Sequence, residues 1–371
     1  MMKRFYLYFL ALTLIHATAN FTVAQNDINV LKLDKIVLDP GHGGYDSGGH
    51  GKTSKEKNVA LAIALATGII MQEELPGIEV IYTRTEDRFV KLHDRAKIAN
   101  ESAADLFISI HCNSNPSSQP FGTETYVMGL HKSEENLEVA KTENAAILLE
   151  DDYQDQYEGF DPNLAEDYIM LNMIQSASID QSLAFSQLLQ DEMRTTAGMY
   201  DRGIRQAGFV VLYLTAMPGV LLETGFLSNP GEEQFLLKEE NQVNIAKAIV
   251  EAVKNYKLTI ESNIEALSRA NETDTTSAER VDKNFRIEFA SIKKEKPTDD
   301  KMFSGMQDVW HYYENGRYHY TFGKTKSFVQ AKDLYHRAVA DGKIKWKYLK
   351  FAEIIEIEKS KIISRVKASD K

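Results

Sequence analysis

Hydrophobic and polar positions divide the chain up to about residue 257 into alternating strand-like and helix-like segments. Short apolar or β-branched runs predict five strands, at 36–39, 78–83, 106–111, 209–214 and 220–223. Apolar residues at three- and four-residue spacing predict helices at 56–74, 91–100, 183–196 and 243–257. This alternation is typical of an α/β domain, here with a mixed, mainly parallel sheet and helices on both faces.

A different pattern follows a polar segment at 259–283, which we interpret as a linker. FRIEFASI alternates as a strand, Asn315-Gly316 separates two aromatic runs as in a hairpin, and SFVQAKDLYHRAVADG has helical spacing. KIKWKYLKF, at 343–351, alternates again. With a short helix at 301–307, the order βαββαβ predicts a small α+β domain at 284–356.

Composition supports two folded units and limits what can stabilise them. The chain has 371 residues, of which 43% are hydrophobic, enough for a core in each unit. Its single cysteine excludes an intrachain disulfide. The net charge is −11, whereas residues 284–371 carry 19 Lys and Arg against 12 Asp and Glu. We expect no nucleic-acid partner.

The first residues resemble an export signal. Met1-Met2-Lys3-Arg4 precedes an apolar run at 5–15, which is too short to span about 30 Å of hydrocarbon at about 1.5 Å per residue. We interpret 1–24 as a signal peptide with cleavage near Ala24-Gln25. An uncleaved N-terminal anchor remains the alternative, and after cleavage we expect no stable membrane span.

Two of the predicted strands end in a histidine. KIVLDPGHGG carries His42 just after the strand at 36–39, and LFISIHCN carries His111 at the end of the strand at 106–111. Because ligands gather at the carboxyl ends of strands in such sheets, we expect the two imidazoles to lie close together. Neutral imidazole is a common zinc ligand, and a catalytic zinc site uses three protein ligands. The sequence therefore predicts one Zn²⁺ ion at this edge.

Carboxylates from the same edge would complete the site. Glu56 lies in the first turn of a predicted helix, where the dipole favours an anion, and we interpret it as the third ligand. Glu223 ends another strand, where a carboxylate can exchange protons with water and a leaving amine. Asp39 is a candidate acceptor for an imidazole N–H. Cys112 should point away from the face of His111, so we interpret it as a small buried residue.

Each of these residues also has a structural interpretation on its own. A histidine at a strand end is often only hydrogen-bonded, Glu56 can be an ordinary first-turn glutamate, and Glu223 can cap the next turn. Their common position on one predicted edge favours the zinc site.

Six segments in order resemble the zinc-dependent N-acetylmuramoyl-L-alanine amidases. They are DPGHGGYDSGGHG, EKNVALAIA, YTRTED, LHDRAKIAN, FISIHCNSN and VLLETGFLSNPGEE, within a catalytic domain placed at 30–258. The resemblance implies that His42, Glu56 and His111 bind zinc, that Glu223 is catalytic, and that the substrate is peptidoglycan. The bond would be the amide between the lactyl group of N-acetylmuramic acid and L-alanine. The family commonly has alanine where Cys112 and Ser114 stand, which removes no ligand.

Residues 130–182 exceed what the fold needs, and we interpret them as a regulatory insertion. AKTENAA resembles the regulatory helix of division-associated amidases, in which a glutamate fills the open metal position until an activator withdraws the helix. The resemblance makes Glu143 the possible autoinhibitory fourth ligand and a LytM-type protein the possible activator. A solvated surface helix is the plain alternative.

The C-terminal domain resembles the sporulation-related repeat (SPOR) domains, which bind denuded glycan strands. Together the resemblances imply a periplasmic enzyme at the division septum that acts in wall remodelling and daughter-cell separation. Another zinc cell-wall hydrolase, such as a deacetylase or carboxypeptidase, and a non-catalytic wall-binding scaffold are the alternatives.

Overall fold

A computed structural model describes most of both predicted domains. The described residues are 32–157, 159–172, 178–273, 284–297, 301–303, 308–325, 353–358 and 361–367, with single positions at 306, 331, 334, 335 and 338. The predicted signal peptide at 1–24 and the predicted strand at 343–351 lie outside them.

The first domain alternates strands and helices. The strands are β1 (Lys35–Pro40), β2 (Glu79–Tyr82), β3 (Leu106–Asn113), β4 (Thr123–Met128), β5 (Asp201–Ala207) and β6 (Gly219–Phe226). The helices are α1 (Glu56–Glu74), α2 (Leu92–Glu101), α3 (Glu134–Asn144), α4 (Tyr153–Gln156), α5 (Ala165–Asn172), α6 (Ile179–Thr195), α7 (Val210–Tyr213), α8 (Pro230–Leu236) and α9 (Glu239–Thr273). A 3₁₀ turn, Ala145–Leu149, follows α3.

These strands form one mixed, mainly parallel sheet, as predicted. The strand order is β2-β1-β3-β6-β4-β5, and only the β4–β6 pair is antiparallel. Every residue of β3, β4 and β6 is buried, which explains the apolar runs of β3 and β6. The carboxyl ends of β1, β3 and β6 lie side by side, so the predicted site residues come from one edge.

The prediction of a strand at 209–214 is wrong. Phe209 is extended, but Val210–Tyr213 forms the short helix α7, whose first three residues are buried. A short apolar run does not distinguish a buried strand from a buried helical turn by periodicity alone. The fifth and sixth strands in the order of the sheet are instead β4 and β5, which carry many polar residues and were not predicted.

Helix α9 runs further than predicted, to Thr273. The beginning of the predicted linker at 259–283 is therefore helical. Among the described residues, no helix combines the length and the apolar character needed to cross a bilayer.

The second sheet is antiparallel and five-stranded. Its strands are β7 (Asn284–Ile292), β8 (Trp310–Glu314), β9 (Arg317–Thr325), β10 (Glu353–Glu358) and β11 (Lys361–Lys367), in the order β11-β10-β7-β9-β8. The predicted hairpin is present, with positive φ at Asn315 and Gly316 in its turn. Lys301–Phe303 forms a 3₁₀ turn within the helix predicted at 301–307, of which residues 304, 305 and 307 lie outside the described residues. The sheet continues beyond residue 356.

Candidate active site

The loop after β1 carries His42 and depends on two glycines. His42 has a φ of 56°, which is uncommon outside glycine. At Gly41, a Cβ atom would stand 2.3–2.6 Å from ring atoms of His111. At Gly48, it would meet the ring of His42 at 2.4 Å and a Glu56 oxygen at 2.5 Å. A side chain at either position would therefore displace an imidazole.

His42, Glu56 and His111 lie together, as predicted from their positions in the sequence. Glu56 Oε2 lies 3.2 Å from His42 Nε2, and Glu56 Oε1 lies 2.9 Å from His111 Nδ1. All three side chains are buried, and the two rings meet edge to face.

Helix α3 brings a second carboxylate to this cluster. Glu143 Oε2 lies 3.0 Å from His42 Nε2 and 2.9 Å from His111 Nδ1. One nitrogen or oxygen atom from each of His42, Glu56, His111 and Glu143 lies within 4.8 Å of the others. Glu143, the residue of the insertion that we expected at the metal, therefore lies beside the three other residues.

This donor set fits a zinc ion. Two imidazole nitrogens and two carboxylate oxygens are ligands that Zn²⁺ accepts. His42 Nε2 and Glu143 Oε2 are buried and face each other, yet neither has a hydrogen bond of suitable geometry with the residues that the structure describes. A cation between them would satisfy both atoms.

The electrostatics of the cluster also favour a cation. Burial alone lowers the pKa of a histidine, but the carboxylates of Glu56 and Glu143 outweigh it at both imidazoles. The pKa of His42 rises well above its usual value, and that of His111 rises to about 10. The pocket therefore holds more negative charge than neutral imidazoles can balance.

The acceptor for the second nitrogen of His42 is Asp46, and the prediction that Asp39 accepts from an imidazole N–H is wrong. His42 Nδ1 lies 2.9 Å from Asp46 Oδ2. Asp39 is buried against neighbouring elements and accepts from Arg95 Nη1 at 2.7 Å, Thr83 Oγ1 at 2.6 Å and Ser109 Oγ at 2.7 Å. The histidine loop reverses the chain, which brings the residue four positions after His42 to its ring.

Two buried arginines fix the carbonyl groups of the same loop. Arg84 donates to Pro40 O, to Gly41 O at 2.7 Å and to Lys57 O at 2.8 Å. Arg95 donates to Pro40 O at 2.7 Å and to His42 O at 2.6 Å. The backbone around His42 is therefore held by charge-assisted hydrogen bonds that involve no metal.

Glu223 lies on β6, directly opposite His111 of β3. Its side chain is fully buried, and neither carboxyl oxygen has a hydrogen-bond partner among the described residues. Burial, followed by the Glu143 carboxylate, raises the pKa of Glu223 well above its usual value, although His111 opposes the shift. An unpaired buried carboxyl group is costly, which marks Glu223 as a functional candidate.

Residues 36–255 match the family described as N-acetylmuramoyl-L-alanine amidase. The chain belongs to this amidase family. That match confirms the resemblance seen in the six sequence segments, all of which contribute to the first domain.

Named amidases are among the similar proteins. The chain is 34% identical over 226 residues to N-acetylmuramoyl-L-alanine amidase AmiC of Escherichia coli O6:H1, covering 60% of this chain and 52% of that protein. It is 33% identical over 224 residues to AmiA of Escherichia coli K12, covering 60% and 75%. The chain thus spans about half the length of the AmiC relative.

A solved structure of the catalytic domain of CwlV, an N-acetylmuramoyl-L-alanine amidase from Bacillus (Paenibacillus) polymyxa var. colistinus, is also similar. It is 32% identical, with a TM-score of 0.45, and the match covers 60% of this chain and 97% of that one.

In this member of the amidase family, helix α3 begins and ends with strong local signals. Ser133 caps its N-terminus by accepting from Asn136 N, two glutamates occupy the first turn, and Lys141 lies in the last turn. At the other end, the buried Asn144 donates to Gly208 O at 2.7 Å and to Tyr168 Oη at 3.2 Å, and accepts from Val210 N at 2.8 Å. The helix is therefore anchored on both sides of Glu143.

Cys112 does not join the cluster of His42, Glu56, His111 and Glu143. Its Sγ lies 3.2 Å from Thr224 Oγ1, while its backbone N–H donates to Glu56 Oε1 at 2.9 Å. Sequence reasoning missed Asp46 and Asn144. The position of Asp46 within the histidine loop could have indicated it, but the backbone partners of Asn144, Gly208 and Val210, are more than sixty residues away in the chain.

Proposed function

We propose that the chain hydrolyses the amide between the lactyl group of N-acetylmuramic acid and L-alanine in peptidoglycan. The single observation that supports this most is the grouping of His42, Glu56 and His111 beside the unpartnered carboxyl group of Glu223. The family and its named relatives favour an amidase over a deacetylase or a carboxypeptidase. A wall-binding scaffold would not require a buried, unpaired Glu223.

His42, Glu56 and His111 would hold one Zn²⁺ ion. When bound, zinc lowers the pKa of a water molecule to about 7 and polarises a carbonyl oxygen. Asp46 keeps the His42 ring oriented by accepting from Nδ1, so that Nε2 faces the cluster.

Glu223 would act as general base and then as general acid. In the arrangement seen here, burial and Glu143 favour its protonated form. Displacement of Glu143 removes one negative charge that raises the pKa of Glu223, so the carboxylate form becomes available to accept a proton from water. The same carboxyl group then donates that proton to the leaving amine of L-alanine.

The position of Glu143 supports an autoinhibited state. Its carboxylate faces both histidines, in the place where water and substrate would have to enter. Helix α3 would then have to move before catalysis, and a partner that binds the open form better would activate the enzyme. We infer that this partner is a LytM-type periplasmic protein.

The remaining parts of the proposal concern location. Export to the periplasm and action at the septum would suit an enzyme of this family, and the C-terminal domain would bind denuded glycan strands. Its β8–β9 hairpin presents Trp310, Tyr312, Tyr313 and Tyr318, of which Tyr313 is 63% exposed. Such rings can stack on sugars.

Digestion of purified sacculi tests the reaction. With zinc, the Glu143→Ala chain should release intact stem peptides, and the parent chain should release them more slowly. Chelation or His42→Ala should abolish release, whereas His50→Ala, which changes an exposed histidine of the same loop, should not. Release of acetate or of a single terminal amino acid would instead identify a deacetylase or a carboxypeptidase.

A further inference from the structure

We propose that Arg202 and Arg205 of β5 bind a carboxylate of the stem peptide, and that Glu135 of helix α3 occupies this subsite in the closed state. The proposal rests on the amidase function proposed above. It assigns a role in substrate specificity to a charged cluster that does not include His42, Glu56, His111 or Glu143.

The arginines lie at the end of a row of side chains that begins at the metal cluster. His111 of β3 is paired in register with Glu223 of β6, and Glu223 with Glu124 of β4. Directly opposite residues of neighbouring strands project to the same face of a sheet. Glu124 is buried and bonds to Arg202 Nε, and its Oε2 lies 3.2 Å from Arg205 Nε. The row therefore leads from the reacting centre to two guanidinium groups.

Both arginines are held in position before any ligand arrives. The guanidinium of Arg202 stands 5.0 Å from the centroid of the Phe226 ring, which is a cation–π arrangement. Tyr126 Oη donates to Glu124 Oε2 at 2.7 Å and so fixes the carboxylate between the arginines. Planar guanidinium groups held in this way suit recognition of a carboxylate.

The charges of the cluster balance only when α3 is in place. Arg202 Nη2 donates to Glu135 Oε1 at 3.0 Å, and Arg205 Nη1 donates to Asn136 Oδ1 at 3.1 Å. Glu124 balances one arginine and Glu135 the other. When α3 withdraws, the surface keeps Glu124 but loses Glu135, which leaves one positive charge without a counter-charge. That surplus matches a single carboxylate.

The spacing on α3 suits a peptide that extends from the metal. Glu135 and Glu143 are eight residues apart, which corresponds to about 12 Å along a helix at about 1.5 Å per residue. An extended peptide covers that distance in about three to four residues at about 3.3–3.6 Å each. A stem peptide whose first amide lies at the metal would therefore carry a carboxylate of one of its next residues to the arginines.

The test uses the Glu143→Ala chain and two muramoyl peptides that differ only in whether the peptide carboxyl groups are free or converted to carboxamides. The free-carboxylate substrate should be preferred, with kcat/KM about 10- to 100-fold higher. Adding Arg202→Gln and Arg205→Gln should remove this preference through KM, so the loss of kcat/KM should be larger for the free-carboxylate substrate than for the carboxamide. Arg194→Gln, an exposed arginine on α6, is the matched control and should change neither rate.

Binding gives a readout that does not depend on turnover. Titration of the non-hydrolysed stem peptide into Glu143→Ala/Glu223→Gln should show the same preference for free carboxylates, and the two arginine substitutions should abolish it. Equal losses on both ligands, or no loss on either, would overturn the proposal. Hydrolysis of neither muramoyl peptide, with the binding preference intact, would instead contradict the amidase function.

Glu135→Gln separates the blocking role from the binding role. In the otherwise unchanged full chain it should raise activity only about two- to fivefold, because a partly exposed ion pair contributes little. It should leave the preference between the two substrates unchanged. If Glu135→Gln lost the preference for the free-carboxylate substrate, Glu135 would do more than occupy the subsite in the closed state, and the assignment would be contradicted.

Discussion

Asn144→Ala should activate the enzyme without changing any proposed metal ligand. Asn144 is 1% exposed and bridges the end of helix α3 to the segment after β5 through Gly208 O and Val210 N. Alanine would leave this buried carbonyl and this buried N–H without their partners while the helix is docked. Both groups could bind water once the helix withdraws.

The size of the expected shift towards the open state follows from Gly208 O and Val210 N, the two backbone groups that lose their partner. An unsatisfied buried group costs about 1–3 kcal/mol, so the docked state should lose about 2–6 kcal/mol over the two groups. At about 1.4 kcal/mol per tenfold change, the ratio of open to closed molecules should rise at least about 30-fold. The gain in activity has a ceiling, which is the rate of the fully open enzyme.

The assay is the initial rate of release of labelled stem peptide from sacculi by the full chain with zinc. Thr142→Ala is the matched control, because Thr142 is an exposed residue of the same helix whose hydroxyl bonds only to Glu138 O among the described residues. Hydrogen exchange of the α3 amides should accelerate in Asn144→Ala and not in the control. An unchanged rate, with faster exchange and normal zinc content, would refute the idea that docking of α3 limits activity.

Three further predictions follow from other parts of the molecule. Glu223→Gln should retain zinc and fold but lose about 10²- to 10⁴-fold in turnover, as expected for a general acid–base residue; near-parental rates would place the base elsewhere. Asp39→Ala should lower the free energy of unfolding of the first domain by about 3–5 kcal/mol in urea, because it leaves Arg95 as an uncompensated buried charge. Burial alone would raise the pKa of Asp39, but Arg95, Thr83 and Ser109 lower it below its usual value. The parent should therefore lose this stabilisation only as pH falls below about 4, and the free energy of unfolding of Asp39→Ala should depend less on acid than that of the parent. Equal dependence in both chains would contradict this account. Tyr313→Ala should weaken pull-down of peptide-stripped glycan by the full chain, and unchanged binding would remove the exposed hairpin ring from the proposed sugar site.

The sequence predicted the candidate site best where residues with metal-binding or acid–base side chains lie at the ends of strands. The apolar runs of β1, β3 and β6 predicted parallel neighbours, and their ends therefore located His42, His111 and Glu223. The strand β5, with the sequence DRGIRQA, has little apolar periodicity because its residues are only partly buried at the sheet edge. Its pairing with β4 is decided by tertiary structure, which local patterns do not encode.

The sequence alone also did not predict the ionic contacts between residues that are far apart in the chain. Glu124 and Arg202 are 78 residues apart, and Arg95 and Asp39 are 56 apart. Each of these residues taken alone is an ordinary charged residue. Asp46 rather than Asp39 contacts an imidazole for a similar reason. The path of the glycine-rich loop decides which carboxylate reaches the His42 ring.

The arginine-held loop around His42 has a consequence for handling the enzyme. Hydrogen bonds from Arg84 and Arg95 fix the loop carbonyls, and the imidazole of His111 fills the space beside Gly41. In small zinc domains that fold only around their ion, metal removal unfolds the chain. Here the scaffold is built by protein contacts, so the metal-free enzyme should keep its thermal transition. Cobalt could then replace zinc by dialysis in the folded state and report the ligand field of the site by its visible absorption.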